Sequence, residues 1–237
     1  LCTGGFEYRP SAMTLAGRKP PNEYHRHTKG DIVTTWLNTS FEMQFRVIDG
    51  LTVRFAQSED RGGDRALLLS PWPESLLAFE PTWARLAEHA HLVAIDLPGF
   101  GHSQRRDALL SPQAMGEFLI QSADAFGLEH PHVIGPDIGP DIGTAAALFA
   151  AARHPGRLRS LVVGSGGAAV PLQLGSVLKD WVEAPDLDSF RSADPRQIVA
   201  GALTGIQRYA LPDSVREDYL EDLRCHVFDV SPECDSG

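Results

Sequence analysis

Residues 132–144 read His-Val-Ile-Gly-Pro-Asp-Ile-Gly-Pro-Asp-Ile-Gly-Thr. A short apolar run leads into two copies of Gly-Pro-Asp-Ile, and an alanine-rich stretch with helical pattern follows over 144–153. Both copies fit Gly-x-Asp-x-Gly, in which small residues leave room for a tight strand-to-helix turn. The stretch therefore predicts a strand, a tight turn and a helix, the unit from which α/β sheets are built.

Each copy places one carboxylate, that of Asp137 or Asp141, between two glycines and ahead of a helix. A helix N-terminus keeps a carboxylate ionised and offers backbone N–H groups to a developing oxyanion. A carboxylate placed in this way can attack an sp³ carbon and form an ester. The alternative interpretation is a Gly-Pro-Asp turn whose aspartate only caps the helix.

Short apolar runs alternate with amphipathic stretches on both sides of this unit. Residues 41–55 alternate apolar and polar side chains around Asp49-Gly50, which predicts a β-hairpin. Further strands are predicted at 66–69, 92–95, 132–134 and 161–163, and helices near 79–89, from Ser111-Pro112 and over 144–153. This order predicts an α/β fold with a mostly parallel sheet and an N-terminal antiparallel hairpin.

The pattern divides the chain into four segments. They are an irregular N-terminal extension (1–40), an α/β core (41–167), a helical lid (168–224) and an irregular C-terminal tail (225–237). Within the lid, helices are predicted at 172–182, at 195–209 and from Pro212. These helices would lie over the carboxyl ends of the strands, where open α/β sheets bind ligands.

Composition excludes several classes of partner. The 237 residues carry 21 Lys and Arg against 31 Asp and Glu, a formal net charge of −10, which repels nucleic acid and anionic lipid. Three cysteines, Cys2, Cys225 and Cys234, are an odd number at the chain ends and are expected to be reduced thiols. The glycine and histidine spacings fit neither a dinucleotide loop nor a metal site. Without a signal peptide, the cytoplasm is the expected location.

Three stretches carry a resemblance to a known family. The run 96–103, Asp-Leu-Pro-Gly-Phe-Gly-His-Ser, resembles the loop after the fourth strand of α/β-hydrolases. Residues 132–137, followed by 153–158, are similar to the elbow and helix of the branch with an aspartate nucleophile, the haloalkane dehalogenases and epoxide hydrolases. Residues 70–75, Ser-Pro-Trp-Pro-Glu-Ser, stand where these enzymes carry the His-Gly-x-Pro oxyanion loop. The resemblance implies an α/β-hydrolase fold and hydrolysis of an alkyl halide or epoxide through an aspartyl ester, with water as second substrate and no cofactor.

The resemblance also implies roles for individual residues. The oxyanion donors would be the backbone N–H of Trp72 and of Ile138 or Ile142. The Trp72 indole is a further candidate donor, against the alternative of an apolar contact with the lid. Tyr209, with Tyr219, would polarise an epoxide oxygen, against the alternative that these rings pack inward.

The chain also departs from the family pattern. Ser70-Pro71 replaces His-Gly, and no general-base histidine with its partner acid is recognisable after the lid. The resemblance therefore suggests a chain truncated after the lid and lacking the C-terminal strands of the fold. Poor turnover and self-association through an open sheet edge are expected. The alternatives are an ester or C–C bond hydrolase of the same fold, or a non-catalytic binding protein or fragment.

The duplication leaves open which aspartate is the nucleophile. Counted from the strand, Asp137 has the family's spacing; counted back from His154-Pro155, Asp141 has it. Placing the four extra residues in the strand would bury Pro136 beside a central ladder, whereas placing them in the helix adds about one turn. The placement in the helix is the better tolerated, and it favours Asp137 as the nucleophile.

Overall fold

The computed structural model describes residues 41–136, 142–164, 183–185, 194–207 and 210–221. Their strands form one six-stranded sheet in the order β1-β2-β4-β3-β5-β6. The strands are β1 (Met43–Ile48), β2 (Leu51–Gln57), β3 (Asp64–Leu69), β4 (Ala90–Ile95), β5 (His132–Pro136) and β6 (Ser160–Gly164). The predicted α/β fold with a mostly parallel sheet is confirmed.

The predicted hairpin forms the antiparallel edge of this sheet. β1 and β2 pair antiparallel from Ile48↔Leu51 outward, and Asp49 and Gly50 both take positive φ angles in the turn. β2 also pairs antiparallel with β4. The remaining pairs, β3 with β4, β3 with β5 and β5 with β6, are parallel.

In the described part of the chain, five α-helices surround the sheet or follow it. They are α1 (Glu80–Ala87), α2 (Pro112–Ala125), α3 (Ile142–Arg153), α4 (Pro195–Ile206) and α5 (Asp213–Glu221), with short 3₁₀ turns at Leu76–Phe79 and Asp107–Leu109. As predicted, Ser111 caps α2, because its hydroxyl accepts a hydrogen bond from the Ala114 N–H and Pro112 occupies the first turn. The helix predicted at 172–182 lies outside the described residues.

The core has two layers, one on each face of the sheet. On one face β2, β3 and β4 pack against α2 and α3 around Phe118 and Met115, and on the other they pack against α1 around Trp83. β3 and β4 are therefore buried on both sides, as parallel strands usually are. β6 differs, since Val162 and Val163 are 55% and 40% exposed. Exposed apolar surface was expected at this edge, and self-association through it remains a prediction.

Helices α4 and α5 pack together around a third cluster, which includes Leu77, Val199, Leu203 and Val215. Leu77 belongs to the first 3₁₀ turn, so this cluster joins the two helices to the segment that follows β3. Helices are thus present in the predicted lid region. Among the residues described, no helix is long and apolar enough to cross a membrane.

Candidate functional site

The carboxyl ends of β3, β4 and β5 meet at one edge of the sheet, at Leu69, Ile95 and Pro136. β3 lies between the other two strands. From β3 the chain passes through α1 to β4, and from β4 it returns through α2 on the opposite face to β5. Such a reversal opens a crevice at the carboxyl edge, which is where open α/β sheets bind ligands.

The end of β5 and the start of α3 approach each other closely. A Cβ placed on Gly135 would lie 3.4 Å from the Gly143 carbonyl oxygen, which is van der Waals contact between the strand end and the helix start. The Thr144 hydroxyl donates a 2.8 Å hydrogen bond to the Gly135 carbonyl. The strand and the helix are therefore fixed on either side of 137–141.

The candidate nucleophiles Asp137 and Asp141 and the candidate donor Ile138 lie outside the described residues. Ile142 is the first residue of α3, and its side chain is likewise outside the description. The structure thus fixes the two ends of the duplicated segment but describes neither carboxylate.

The described residues give the end of β5 and the start of α3 on either side of the two candidate aspartates. β5 continues through Pro136, which pairs with Gly164 of β6, and α3 begins at Ile142. Proline is tolerated here because the pairing of β5 with β3 ends at Ile134, so at Pro136 the strand pairs on one side only. Because 137–141 lie outside the described residues, the choice between Asp137 and Asp141 stays a prediction.

The candidate oxyanion loop, Ser70–Ser75, is anchored at both ends. The Ser70 N–H donates to the Ile95 carbonyl (3.0 Å), and the Ser70 hydroxyl accepts from the Leu97 N–H (3.3 Å). At the other end the Ser75 hydroxyl accepts from the Leu77 N–H (3.3 Å) and caps the 3₁₀ turn. Ser70, in place of the family's histidine, therefore ties the loop to β4.

Two aromatic candidates pack into the cluster between α4 and α5. Trp72 is half-buried against it, which is the apolar contact that the sequence left as an alternative. The Tyr219 ring is buried in the same cluster, as its alternative interpretation stated. Tyr209 lies outside the described residues. Near Trp72, burial raises the pKa of the half-buried Glu74 carboxyl.

A buried ion network lies at the same edge of the sheet. Arg54, on β2, is 4% exposed; its Nε lies 2.6 Å from Oδ2 of Asp96, which is fully buried after β4. The two terminal nitrogens of Arg54 donate to both carboxylate oxygens of Asp218 on α5, at 2.6 and 3.1 Å. One guanidinium thus joins the sheet to α5 through a bidentate pair.

The pKa values of Arg54, Asp96 and Asp218 all depart from their ordinary values. Burial raises the pKa of Asp96 to about 6, although Arg54 and two backbone N–H groups favour its charged form. Burial also disfavours the charge of Asp218, but hydrogen bonds from His102, Arg54 and Ser75 outweigh this and hold its pKa far below the usual range. Arg54 is itself buried, yet the two carboxylates raise its pKa above the ordinary value.

The glycine-rich run 99–103 encloses Asp96. A Cβ on Gly101 would lie 2.0 Å from the Asp96 carboxyl carbon, and the His102 N–H donates to Asp96 Oδ2 (3.0 Å). The Ser103 hydroxyl donates to the Asp96 carbonyl (2.7 Å) and accepts from the Arg54 N–H (2.9 Å). Gly101 therefore makes room for a buried carboxylate.

Three described histidines near this sheet contact polar side chains. His132 stands at the amino end of β5 and contacts the Ser160 hydroxyl at 2.7 Å. His154 follows α3 and contacts Glu117 at 2.6 Å. His102 Nε2 lies 3.3 Å from Asp218. In the described part of the chain, no group of three or more His, Cys, Asp or Glu side chains is placed to hold a metal ion.

A family model described as "alpha/beta hydrolase fold" matches residues 67–198, more than half of the chain. The chain belongs to the α/β-hydrolase fold family. The chain is 32% identical over 109 residues to a 2-hydroxymuconate semialdehyde hydrolase of Pseudomonas putida, a match that covers 45% of the chain and 37% of the relative. The chain spans less than half the length of the curated relatives that it matches.

Solved structures share the fold of this chain. The haloalkane dehalogenase DatA of Agrobacterium tumefaciens C58 superposes with a TM-score of 0.65 at 17% identity, covering 80% of this chain and 65% of that one. A candidate epoxide hydrolase of Pseudomonas aeruginosa superposes with a TM-score of 0.55 at 22% identity, covering 78% and 65%. At these identities the likeness shows the fold alone.

Proposed function

We propose that this α/β-hydrolase attacks small apolar electrophiles, an alkyl halide or an epoxide, through an aspartyl-ester intermediate. One observation carries the proposal. The close approach of Gly135 and Gly143 brings the end of β5 to the start of α3, which is the position of a nucleophile elbow. The residues between Pro136 and Ile142 are Asp-Ile-Gly-Pro-Asp, so carboxylates are the nucleophiles that the sequence offers there.

The start of α3 favours Asp141 as the attacking residue. Asp141 directly precedes Ile142, the first residue of α3, whereas Asp137 directly follows the last residue of β5. A carboxylate beside the first turn of a helix gains from the unpaired N–H groups there. Asp137 remains the second candidate.

The first chemical step needs no base. A carboxylate oxygen attacks the electrophilic carbon, the carbon–halide or carbon–oxygen bond breaks, and an alkyl ester of the aspartate forms. Halide leaves as the anion, while an epoxide oxygen takes up a proton, for which Tyr209 is the proposed donor. The Trp72 and Ile142 N–H groups are the proposed donors to the other carboxylate oxygen.

The second step needs a base that activates water beside the ester carbonyl. His132 lies at the amino end of β5 and His154 follows the last residue of α3, so both stand away from the segment between β5 and α3, and His102 lies beside Asp218; none of the three is proposed as this base. We therefore expect the ester to accumulate and turnover to be slow. Water is the second substrate, and no cofactor takes part in the proposed reaction.

The test is covalent labelling followed by intact-mass measurement. The full chain is incubated with 1,2-epoxyhexane or 1-bromohexane, and the expected product is one adduct per chain. Asp141→Asn should abolish the adduct and Asp137→Asn should retain it, with Asp107→Asn as a control for an exposed carboxylate. Equal labelling of all variants and of the double variant would overturn the proposal.

A second candidate is an ester or C–C bond hydrolase in which both aspartates are incidental. The similarity to 2-hydroxymuconate semialdehyde hydrolase favours it. The two proposals differ in the double Asp137→Asn, Asp141→Asn variant. If that variant hydrolyses a p-nitrophenyl ester as fast as the parent chain and neither forms an adduct, the second candidate is the correct one.

A further inference from the structure

We propose that Asp218 of α5 is a positioning residue for the Ser70–Ser75 loop. The role of this loop as an oxyanion donor rests on the proposed function. The link is the Ser75 hydroxyl, which donates a 2.6 Å hydrogen bond to Asp218 Oδ1. Because the hydroxyl has one proton, this bond fixes its orientation and directs a lone pair to the Leu77 N–H at 3.3 Å. A residue of α5 thereby sets the geometry at the exit of the loop.

Asp218 is itself held in place. Arg54 donates to both of its oxygens, and His102 Nε2 lies 3.3 Å away. The carboxylate is only 12% exposed, so these charge-assisted bonds act where water screens them weakly. Rotation of the carboxylate away from Ser75 would break the bidentate pair with Arg54.

The contacts close into a ring around the loop exit. Asp218 binds Arg54, Arg54 binds Asp96, and Asp96 Oδ1 accepts from the Leu76 N–H at 2.7 Å. Leu76 follows Ser75, whose hydroxyl returns to Asp218. The Ser75 hydroxyl and the Leu76 N–H are therefore bound to Asp218 and Asp96, the two carboxylates that share the Arg54 guanidinium.

This ring couples the loop to α5. The entrance of the loop is tied to β4 through Ser70, and its middle residue Trp72 packs on the cluster formed with α4 and α5. The proposed donor, the Trp72 N–H, is three residues before Ser75. A shift of α5 or the loss of the Asp218 charge therefore displaces the donor, while β3 and β5 keep their pairing.

Amide hydrogen exchange of the full chain tests this coupling without requiring activity. Asp218→Asn and Ser75→Ala should raise the exchange rates of the Leu76 and Leu77 amides by about tenfold or more, because Asp218→Asn removes the charge that orients the Ser75 hydroxyl and Ser75→Ala removes the acceptor of the Leu77 N–H. Ser75→Thr keeps the hydroxyl and should keep the protection. The matched control is Glu217→Gln, which removes an exposed carboxylate from the adjacent position on α5.

Labelling by 1,2-epoxyhexane supplies a second readout. Asp218→Asn should lower the maximal labelling rate by about tenfold and leave the half-saturating concentration within about twofold, because the donor shifts but the apolar site does not. If the parent chain forms no adduct, the proposed function fails, while the exchange data still decide the role of Asp218. Unchanged exchange at residues 76 and 77, or an equal rise across β3 and β5, would overturn the positioning role.

Discussion

Replacing Arg54 by Met tests the importance of the buried ion network. The guanidinium makes one short bond to Asp96 and a bidentate pair with Asp218, and all three groups are largely withdrawn from water. Methionine fills a similar volume but leaves two carboxylates without their cation. Removing one partner of a buried ion pair costs about 3–5 kcal/mol, so we expect the free energy of unfolding at pH 7 to fall by about that amount.

The pH dependence of this loss is part of the prediction. Without Arg54 the pKa of Asp96, already raised to about 6 by burial, should rise further, so the carboxyl takes up a proton more readily. The cost of the substitution should therefore be smaller at pH 5 than at pH 7. Urea unfolding followed by tryptophan fluorescence at both pH values measures it.

Two variants bracket this result. Arg61→Met removes an exposed ion pair with Glu59, and its effect should stay below about 1 kcal/mol. Arg54→Lys keeps the charge but loses the bidentate geometry, so its cost should lie between those of the two methionine variants. A loss of less than about 1 kcal/mol for Arg54→Met at pH 7 would refute the assigned importance of the network.

Three further predictions concern the same edge of the sheet. Gly101→Ala should lower the free energy of unfolding by more than about 2 kcal/mol in the same urea assay, because the added Cβ would overlap the Asp96 carboxyl. The control is Gly62→Ala, at a glycine that also has a positive φ but has open space around it, and it should cost about 1 kcal/mol. The parent chain's stability relative to Asp96→Asn should fall by about 2 kcal/mol as pH rises from 4 to 7, because a raised folded-state pKa favours the native state at low pH and this contribution is lost as pH passes about 6. A pH-independent difference would contradict the raised pKa of Asp96. Deleting 136–139, which leaves one Gly-Pro-Asp-Ile-Gly elbow, should keep the melting temperature and the adduct, and loss of both would show that the duplication is required.

Local sequence signals predicted the elements of the core well. The alternation around Asp49-Gly50 predicted the hairpin, and Ser111-Pro112 predicted the start of α2. These signals depend on residues close together in the chain, whose backbone preferences act without tertiary partners. The strand end at Pro136 was missed because it depends on pairing with Gly164, a contact that the local pattern does not encode.

The ion network was also missed, for a related reason. Strand alternation in β2 places Leu51, Val53 and Phe55 toward α2 and α3 and would leave Arg54 on a solvated face. The structure covers that face with Asp218, a residue 164 positions later in the chain. The available signal was the Asp96–Ser103 run, in which Gly101 leaves space for the Asp96 carboxylate.

The central claim is that a carboxylate between β5 and α3 attacks the substrate. Tandem mass spectrometry of the parent chain, labelled with 1,2-epoxyhexane and digested, tests it most directly. We expect an ester-linked mass increment on an aspartate within 137–141, on Asp141 rather than Asp137. Alkaline hydroxylamine should remove this increment. An increment confined to Glu74, to a cysteine or to any residue outside that segment would contradict it.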